Sequence, residues 1–261
     1  KEIEGAFRFT FFTDKYDEPF DLSLPIEEGF GRAWYVPGME RHPVRIGSWV
    51  GSVEEGGAVN FYTLHLNPHA HGSHTETLGH ICQGSFPVNQ VHIPWAQTAL
   101  VISITPEDHG EEGQVINWAE IERAVGRLGG WQEAKALVVR TLPNPEEKRS
   151  RNYDRADAPY FAPEVGKALA DVGINHWLVD LPSVDREEDG GALACHRTFW
   201  RIDQGVSEAG PLARTHATIS ELIFVPPAVK DGVWRLHLSV APIASDAAPC
   251  RPLVWPMDAR P

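Results

Sequence analysis

Five of the 12 histidines fall between residues 65 and 80, in the run Leu64-His65-Leu66-Asn67-Pro68-His69-Ala70-His71-Gly72-Ser73-His74-Thr75-Glu76-Thr77-Leu78-Gly79-His80-Ile81. Imidazole and carboxylate are the usual ligands of zinc and neighbouring divalent metals, so the chemistry this run could support is metal binding. Pro68, Gly72 and Gly79 argue against a helix. In an extended chain alternate residues share a face, which predicts that His74, Glu76 and His80 point one way, with the small residues Ala70 and Gly72 beside them. His69 and His71 then point to the other face, unless Gly72 permits a bulge. The competing reading is a polar surface loop. His65 and His92 are read as structural.

Three further places hold residues of the right type, each with a plain alternative. Asp180 and Asp185 flank Pro182-Ser183 ahead of the solvated charge run Arg186-Glu187-Glu188-Asp189-Gly190-Gly191, and could simply cap a turn. His196, beside Cys195, could be a hydrogen-bonded core imidazole. Glu221 sits in the apolar run Ile219–Val225, where a carboxylate is costly to bury unless it is paired or metal-bound. It could equally face solvent at a strand edge. His216 is a weaker ligand candidate.

The elements that must position these residues are short. Strands are expected over 6–13, 21–25, 60–66, 98–104, 136–141, 177–181, 219–225 and 232–240, from β-rich composition and alternation. Trp118–Leu128 has helical periodicity, with Asn117 as N-cap and Gly129-Gly130 as the stop. Ala162–Val172 reads as a second helix, with Pro163 in its first turn and Gly173 past its end. The stretch 143–159 is a polar loop, and the Pro-rich tail 247–255 reads as extended. Helix, glycine, then apolar strand suggests an α/β or α+β layer with part of a sheet covered by helices. The 23 Gly and 21 Pro are scattered as turn punctuation, so one domain over 1–261 is expected.

Composition narrows the partners. The chain has 261 residues, 42% hydrophobic and 23% charged, with a net charge of −13. That is a globular composition, not a disordered one. The acidic balance speaks against nucleic acid and against an anionic membrane surface. No apolar run approaches a membrane span of roughly 18 residues. Three widely spaced cysteines (Cys82, Cys195, Cys250) argue against a disulfide framework or a Cys-based zinc knuckle, and a reducing, cytoplasmic compartment is the expectation. The chain opens at Lys1, with no basic segment followed by an apolar run.

The histidine run resembles the signature of the cyclase-like metal-dependent hydrolases, a family that includes bacterial kynurenine formamidase and isatin hydrolase. The pattern H-x-G-T-H-x-D-x-P-x-H falls on residues 70–80, where Gly72, His74 and His80 match. Ser73 stands for Thr, Glu76 for Asp, Leu78 for Pro, and Ala70 for the first His. Other segments are similar in the same order: Asp21-Leu22-Ser23-Leu24-Pro25, Pro37-Gly38, Asp180-Leu181-Pro182-Ser183-Val184-Asp185, His196, and Glu221 in Ser220-Glu221-Leu222. The likeness spans about residues 20–245 and suggests a divergent branch.

The resemblance implies an α/β fold, with a central, partly closed mixed β-barrel or sheet flanked by helices. It implies a divalent metal, Zn or Mn, held by His74, Glu76, His196 and Glu221, with His80 as the catalytic proton shuttle. Ala70 cannot coordinate, and His69 could supply the missing imidazole if the backbone bulges, which leaves one metal or two open. Ser183 and Asp185 would line the site. Of the aromatic residues, most of which are expected in the core, Trp34 and Trp95 are the candidates for contact with substrate. The expected activity is hydrolysis of the C–N bond of a small amide, formamide or lactam, in a homodimer or homotetramer. Phe7, Phe9, Phe11 and Phe12 are candidates for the subunit interface. A lyase or cyclase of the same fold, or a non-catalytic small-molecule binder, are the alternatives, the last favoured by Ala70 and Leu78.

Overall fold

Strict alternation in the strands produces two separate cores. A computed structural model describes residues 18–27 and 31–257. The strand expected over 6–13 and its four phenylalanines lie outside them. The main strands, in chain order, are β1 (Phe20–Asp21), β2 (His74–Glu76), β3 (Gln97–Ile104), β4 (Ala136–Thr141), β5 (His176–Val179), β6 (Thr218–Glu221), β7 (Gly232–Val240) and β8 (Ala247–Pro256). The helices are α1 (Trp118–Arg127), α2 (Pro163–Asp171) and α3 (Ala194–Trp200).

Strands β3, β4, β5 and β6 run parallel to one another; β7 joins β3, and β2 joins β6, in antiparallel pairs. The long β8 pairs with β7 along one edge. On its other edge Ala247–Pro249 pairs with β2, and Leu253 and Val254 pair with β1. The β8–β2 contact closes a mixed barrel of 7 strands. The tail expected to be merely extended is thus the strand that closes the barrel.

Ala99, Val101, Ala136, Val138, Leu178, Leu236 and Val254 belong to one core, whereas Leu100, Ile102, Leu137, Val139, Trp177 and Ile219 belong to the other. The second core also contains Ile121, Ala124 and Val125 of α1 and Val165 and Leu169 of α2. Helices cannot fit inside a narrow barrel, so this second core is the outer layer and the first fills the interior. Arg140, which follows Val138 by two residues, closes one end of the barrel. Its guanidinium donates to Ser103 Oγ (2.8 Å), the carbonyl oxygen of Val229 (2.7 Å) and Asp231 (3.0 Å).

Gly166 lets α2 and α3 touch. A Cβ there would stand 2.4 Å from the Cys195 carbonyl oxygen and 2.5 Å from Thr198 Oγ1. Among the described residues, no helix is long and apolar enough to cross a membrane.

The two expected helices form within a residue or so of their expected ends. Helix α3 has no counterpart in the sequence reading. The strand expected over 219–225 stops at Glu221, because Leu222 takes a left-handed conformation (φ 52°) and turns the chain. Of the strand expected over 21–25 only Asp21 pairs, in Phe20–Asp21, and of that expected over 60–66 only Tyr62–His65.

Candidate metal centre

Strand alternation decides which way β2 faces. Thr75 points into the barrel, where its Oγ1 meets Ser220 Oγ at 2.7 Å. His74 and Glu76 therefore point outward, beneath α3. In β6, Glu221 lies opposite His74 in register and is buried on the same side. The edge-strand reading of Glu221 does not hold: it is 3% exposed, and its Oε1 accepts the Val184 amide proton at 3.0 Å.

His69 reaches the same place by a turn rather than by extension. Asn67 Oδ1 accepts the His69 amide, and the Asn67 carbonyl oxygen accepts those of Ala70 and His71. Asn-Pro is a turn-forming pair. Gly72 then takes a left-handed conformation (φ +64°) with Leu24 O and Ile26 packed where a Cβ would go. These two features make the bulge. His71 turns away, and both its ring nitrogens meet backbone, at the Asn67 N–H (2.9 Å) and the Pro37 carbonyl oxygen (2.8 Å). Ala70 is fully buried and its carbonyl oxygen accepts from Ala33 N. His80 arrives through a single 3-10 turn, Leu78–His80, and not by the extended chain the spacing suggested.

His196 comes from α3. Asp185 holds the start of that helix by accepting the amides of Cys195 (2.7 Å) and His196 (3.1 Å), which suits an acid at a helix N-terminus. The same carboxylate lies 2.6 Å from His196 Nδ1, which leaves Nε2 facing Glu76 Oε1 at 2.8 Å and Glu221 Oε1 at 3.6 Å. Asp185 therefore stands behind His196 rather than at the substrate.

On the other side of Glu76, Oε2 lies 3.0 Å from His69 Nδ1. His69 Nε2 lies 2.8 Å from Asp246 Oδ2, and the same oxygen is 3.7 Å from His80 Nδ1. His74 Nε2 is 3.4 Å from Glu221 Oε2. The donor atoms of His69, His74 and Glu76 lie within 4.8 Å of one another, as do those of Glu76, His80 and His196.

Four carboxylates and four imidazoles thus meet in a largely buried space. Burial pushes Glu76 toward its neutral form, but His80 and His196 outweigh it and hold the carboxyl well below its usual range. Burial lowers His196 too, and Glu76 and Asp185 more than reverse this. His69 is held at about 10: burial works against its charge, and Asp246 and Glu76 prevail. Asp246 lies below the ordinary carboxylate range because His69 and His80 bond to it. Without a bound cation the carboxylates are held together by protons on the histidines.

A divalent metal fits this set. His74 Nε2 and Glu76 Oε2 are buried and lack an aligned hydrogen-bond partner, a costly state for polar atoms and the ordinary one for metal ligands. His196 has its second ring nitrogen on a carboxylate, as metal-bound histidines usually do. The donors are nitrogen and oxygen only, which suits Zn or Mn. His69, His74, Glu76, His196 and Glu221 are the residues that would hold it.

A cavity of about 310 Å³ opens onto the cluster, lined among others by Trp34, His69, His80, Ser183, Arg186 and His196. Trp34 is fixed by its indole N–H on the His69 carbonyl oxygen, at 3.1 Å. Ser183 lines the wall, and its Oγ accepts from Asp185 N. Trp95 does not come here. It is 73% exposed and packs against His237, with ring centroids 4.1 Å apart and the planes tilted by 49°. His216 is exposed and outside the cluster. Asp180 instead pairs with buried Lys148 at 2.7 Å. Asp246 has no sequence signal: it belongs to no motif and lies 170 residues from Glu76 (246 − 76), between the strand expected over 232–240 and the extended tail 247–255.

Comparison with known proteins follows this geometry. No curated protein matches the chain. An isatin hydrolase bound to the product analogue thioisatinate superposes with a TM-score of 0.65 at 14% identity, over 91% of this chain and 91% of that one. A predicted metal-dependent hydrolase from Bacillus stearothermophilus gives 0.59 at 17% identity, over 91% and 97%. Isatin hydrolase A from Labrenzia aggregata, bound to benzyl benzoate, gives 0.61 at 13%, over 90% and 92%. At such identities the likeness is one of fold. The family model Cyclase, described as "Putative cyclase", matches residues 20–186. With that match over more than half of its length, the chain belongs to the cyclase family.

Proposed function

We propose that the protein is a metal-dependent hydrolase that opens the C–N bond of a small amide, formamide or lactam. One observation carries the reading: Glu76 meets a histidine on each of its two oxygens, while an orphaned buried nitrogen of His74 lies alongside. The bound metal, Zn or Mn, supplies a water of lowered pKa and stabilises negative charge on the substrate oxygen.

The protein's own residues supply the rest. Asp185 pairs with Nδ1 of His196, so that Nε2, aimed at the cluster, is the nitrogen a metal would take. Trp34 offers a flat apolar wall for a planar substrate. Hydrolysis forms a C–O bond, breaks the C–N bond, and moves a proton from water to the departing nitrogen. His80 is placed to carry that proton: it lines the cavity, its side chain is 30% exposed, and its Nδ1 faces Asp246. Imidazole is the side chain best suited to accept and return a proton in general acid–base catalysis.

The test is a panel of aryl formamides, lactams and esters with the Zn- or Mn-loaded protein, read by product mass. A ring-opened acid carrying one added water from a lactam, or the free arylamine with formate from a formamide, supports the reading. Products of elimination or ring closure without water would favour the lyase or cyclase alternative.

A further inference from the structure

We propose that Asp246 is the positioning residue of His69, the acid that turns this histidine into a metal ligand. The inference rests on the proposed metal site and adds a residue to it.

Glu76 stands between two matching pairs. On one side Oε1 meets His196 Nε2 at 2.8 Å, and His196 Nδ1 meets Asp185 at 2.6 Å. On the other, Oε2 meets His69 Nδ1 at 3.0 Å, and His69 Nε2 meets Asp246 at 2.8 Å. Each imidazole has one nitrogen on Glu76 and the other on an outer aspartate. An aspartate that accepts the proton of one ring nitrogen leaves a lone pair on the other. Nδ1 lies 3.0 Å from a Glu76 oxygen, a contact that a proton bridges in the metal-free chain and that a metal cation would take over. The pairing on Asp246 thus aims His69 Nδ1 at the centre, where it would serve as a metal donor, as Asp185 does for His196.

Asp246 is itself held for this task. Its carbonyl oxygen accepts from Thr77 N at 2.9 Å, one residue beyond Glu76. Ala247 pairs with Glu76 in register, so closure of the barrel by β8 delivers Asp246 to the edge of the site. Its other carboxylate oxygen, Oδ1, accepts from Ser245 Oγ at 2.9 Å. Both oxygens are therefore engaged, and the carboxylate has one orientation.

The experiment compares Asp246→Ala, Asp246→Asn and His69→Ala with the parent protein. It reads Zn²⁺ affinity by competition with a chromophoric chelator and the visible absorption of the Co²⁺-loaded form. The expected result for Asp246→Ala is a loss of affinity of roughly 10–100-fold and an altered Co²⁺ band. Asp246→Asn keeps an oxygen that can accept the Nε2 proton, and is expected to recover most of the affinity. The proposal is overturned if Asp246→Ala binds Zn²⁺ and shows the Co²⁺ band like the parent while His69→Ala does not. It is equally overturned if His69→Ala leaves both unchanged. A parent protein that binds neither ion would contradict the metal site itself, which is a different failure.

Discussion

His196 Nε2 stands 2.8 Å from Glu76 Oε1, across 120 residues of sequence, and the two are 1% and 0% exposed. Such a buried pair joins α3 to the barrel wall, and a cation held by these residues would bind the folded chain alone. Ligand at 1,000 times its Kd stabilises by about 4 kcal/mol. For a chain of this size that is a rise in Tm of roughly 8–16 °C. Scanning calorimetry with Zn²⁺ and with chelator should show this gap, and Glu76→Gln should abolish it.

Metal uptake should release protons. His69, at about 10, and His196, held above its usual range, are both charged at pH 7 in the metal-free chain. A metal must displace those protons. Zn²⁺ added at pH 7 in weak buffer should therefore release roughly one to two protons per site, with affinity rising with pH. A pH indicator dye measures this directly. No proton release on stoichiometric binding would contradict the ligand assignment.

Much of this was legible in residues 70–80, and the limits of that legibility are physical. His74 and Glu76 share a face because strand alternation is local. His69 reaches Glu76 only through the condition placed on Gly72, since a bulge depends on what packs against it, here Leu24 and Ile26. Asp185 was placed beside substrate, whereas its partner is the start of α3, a helix with no strong apolar period to announce it. Asp246 was invisible because barrel closure, a pairing across the whole chain, is what brings it to Glu76. Trp95 is a binding residue by type, but type does not set direction, and it packs against His237 at the surface.

Gly166 carries the position of α3. A methyl there meets the Cys195 carbonyl at 2.4 Å, and that backbone atom cannot move without moving His196. Gly166→Ala is expected to cost about 1–3 kcal/mol by overpacking. Unlike a simple core defect, it should also weaken Zn²⁺ binding. Denaturant melts and chelator competition on one preparation separate the two effects.

His176 gives the stability a pH dependence of its own. Burial pushes it down to about 4, and its Nδ1 meets Thr218 Oγ1 at 2.9 Å. Unfolded, it takes up a proton below about pH 6.5. Its neutral form costs nothing above that pH, and stability falls as pH drops from about 6.5 toward about 4. The full effect is about 3 kcal/mol. His176→Gln should flatten that part of the urea-melt pH profile relative to the parent.

His80 should separate chemistry from metal binding. His80→Ala is expected to lower kcat by roughly 10²–10⁴-fold while the metal content stays that of the parent. Loss of metal together with activity would make His80 a ligand instead.

The most direct measurement is metal content, by elemental mass spectrometry, of protein purified without chelator or histidine tag and after incubation with Zn²⁺ and Mn²⁺. The expected result is about one or two equivalents in the parent, with loss of the metal in His74→Ala and in Glu221→Ala. A parent chain that takes up neither metal at neutral pH would contradict the site and the hydrolase reading with it.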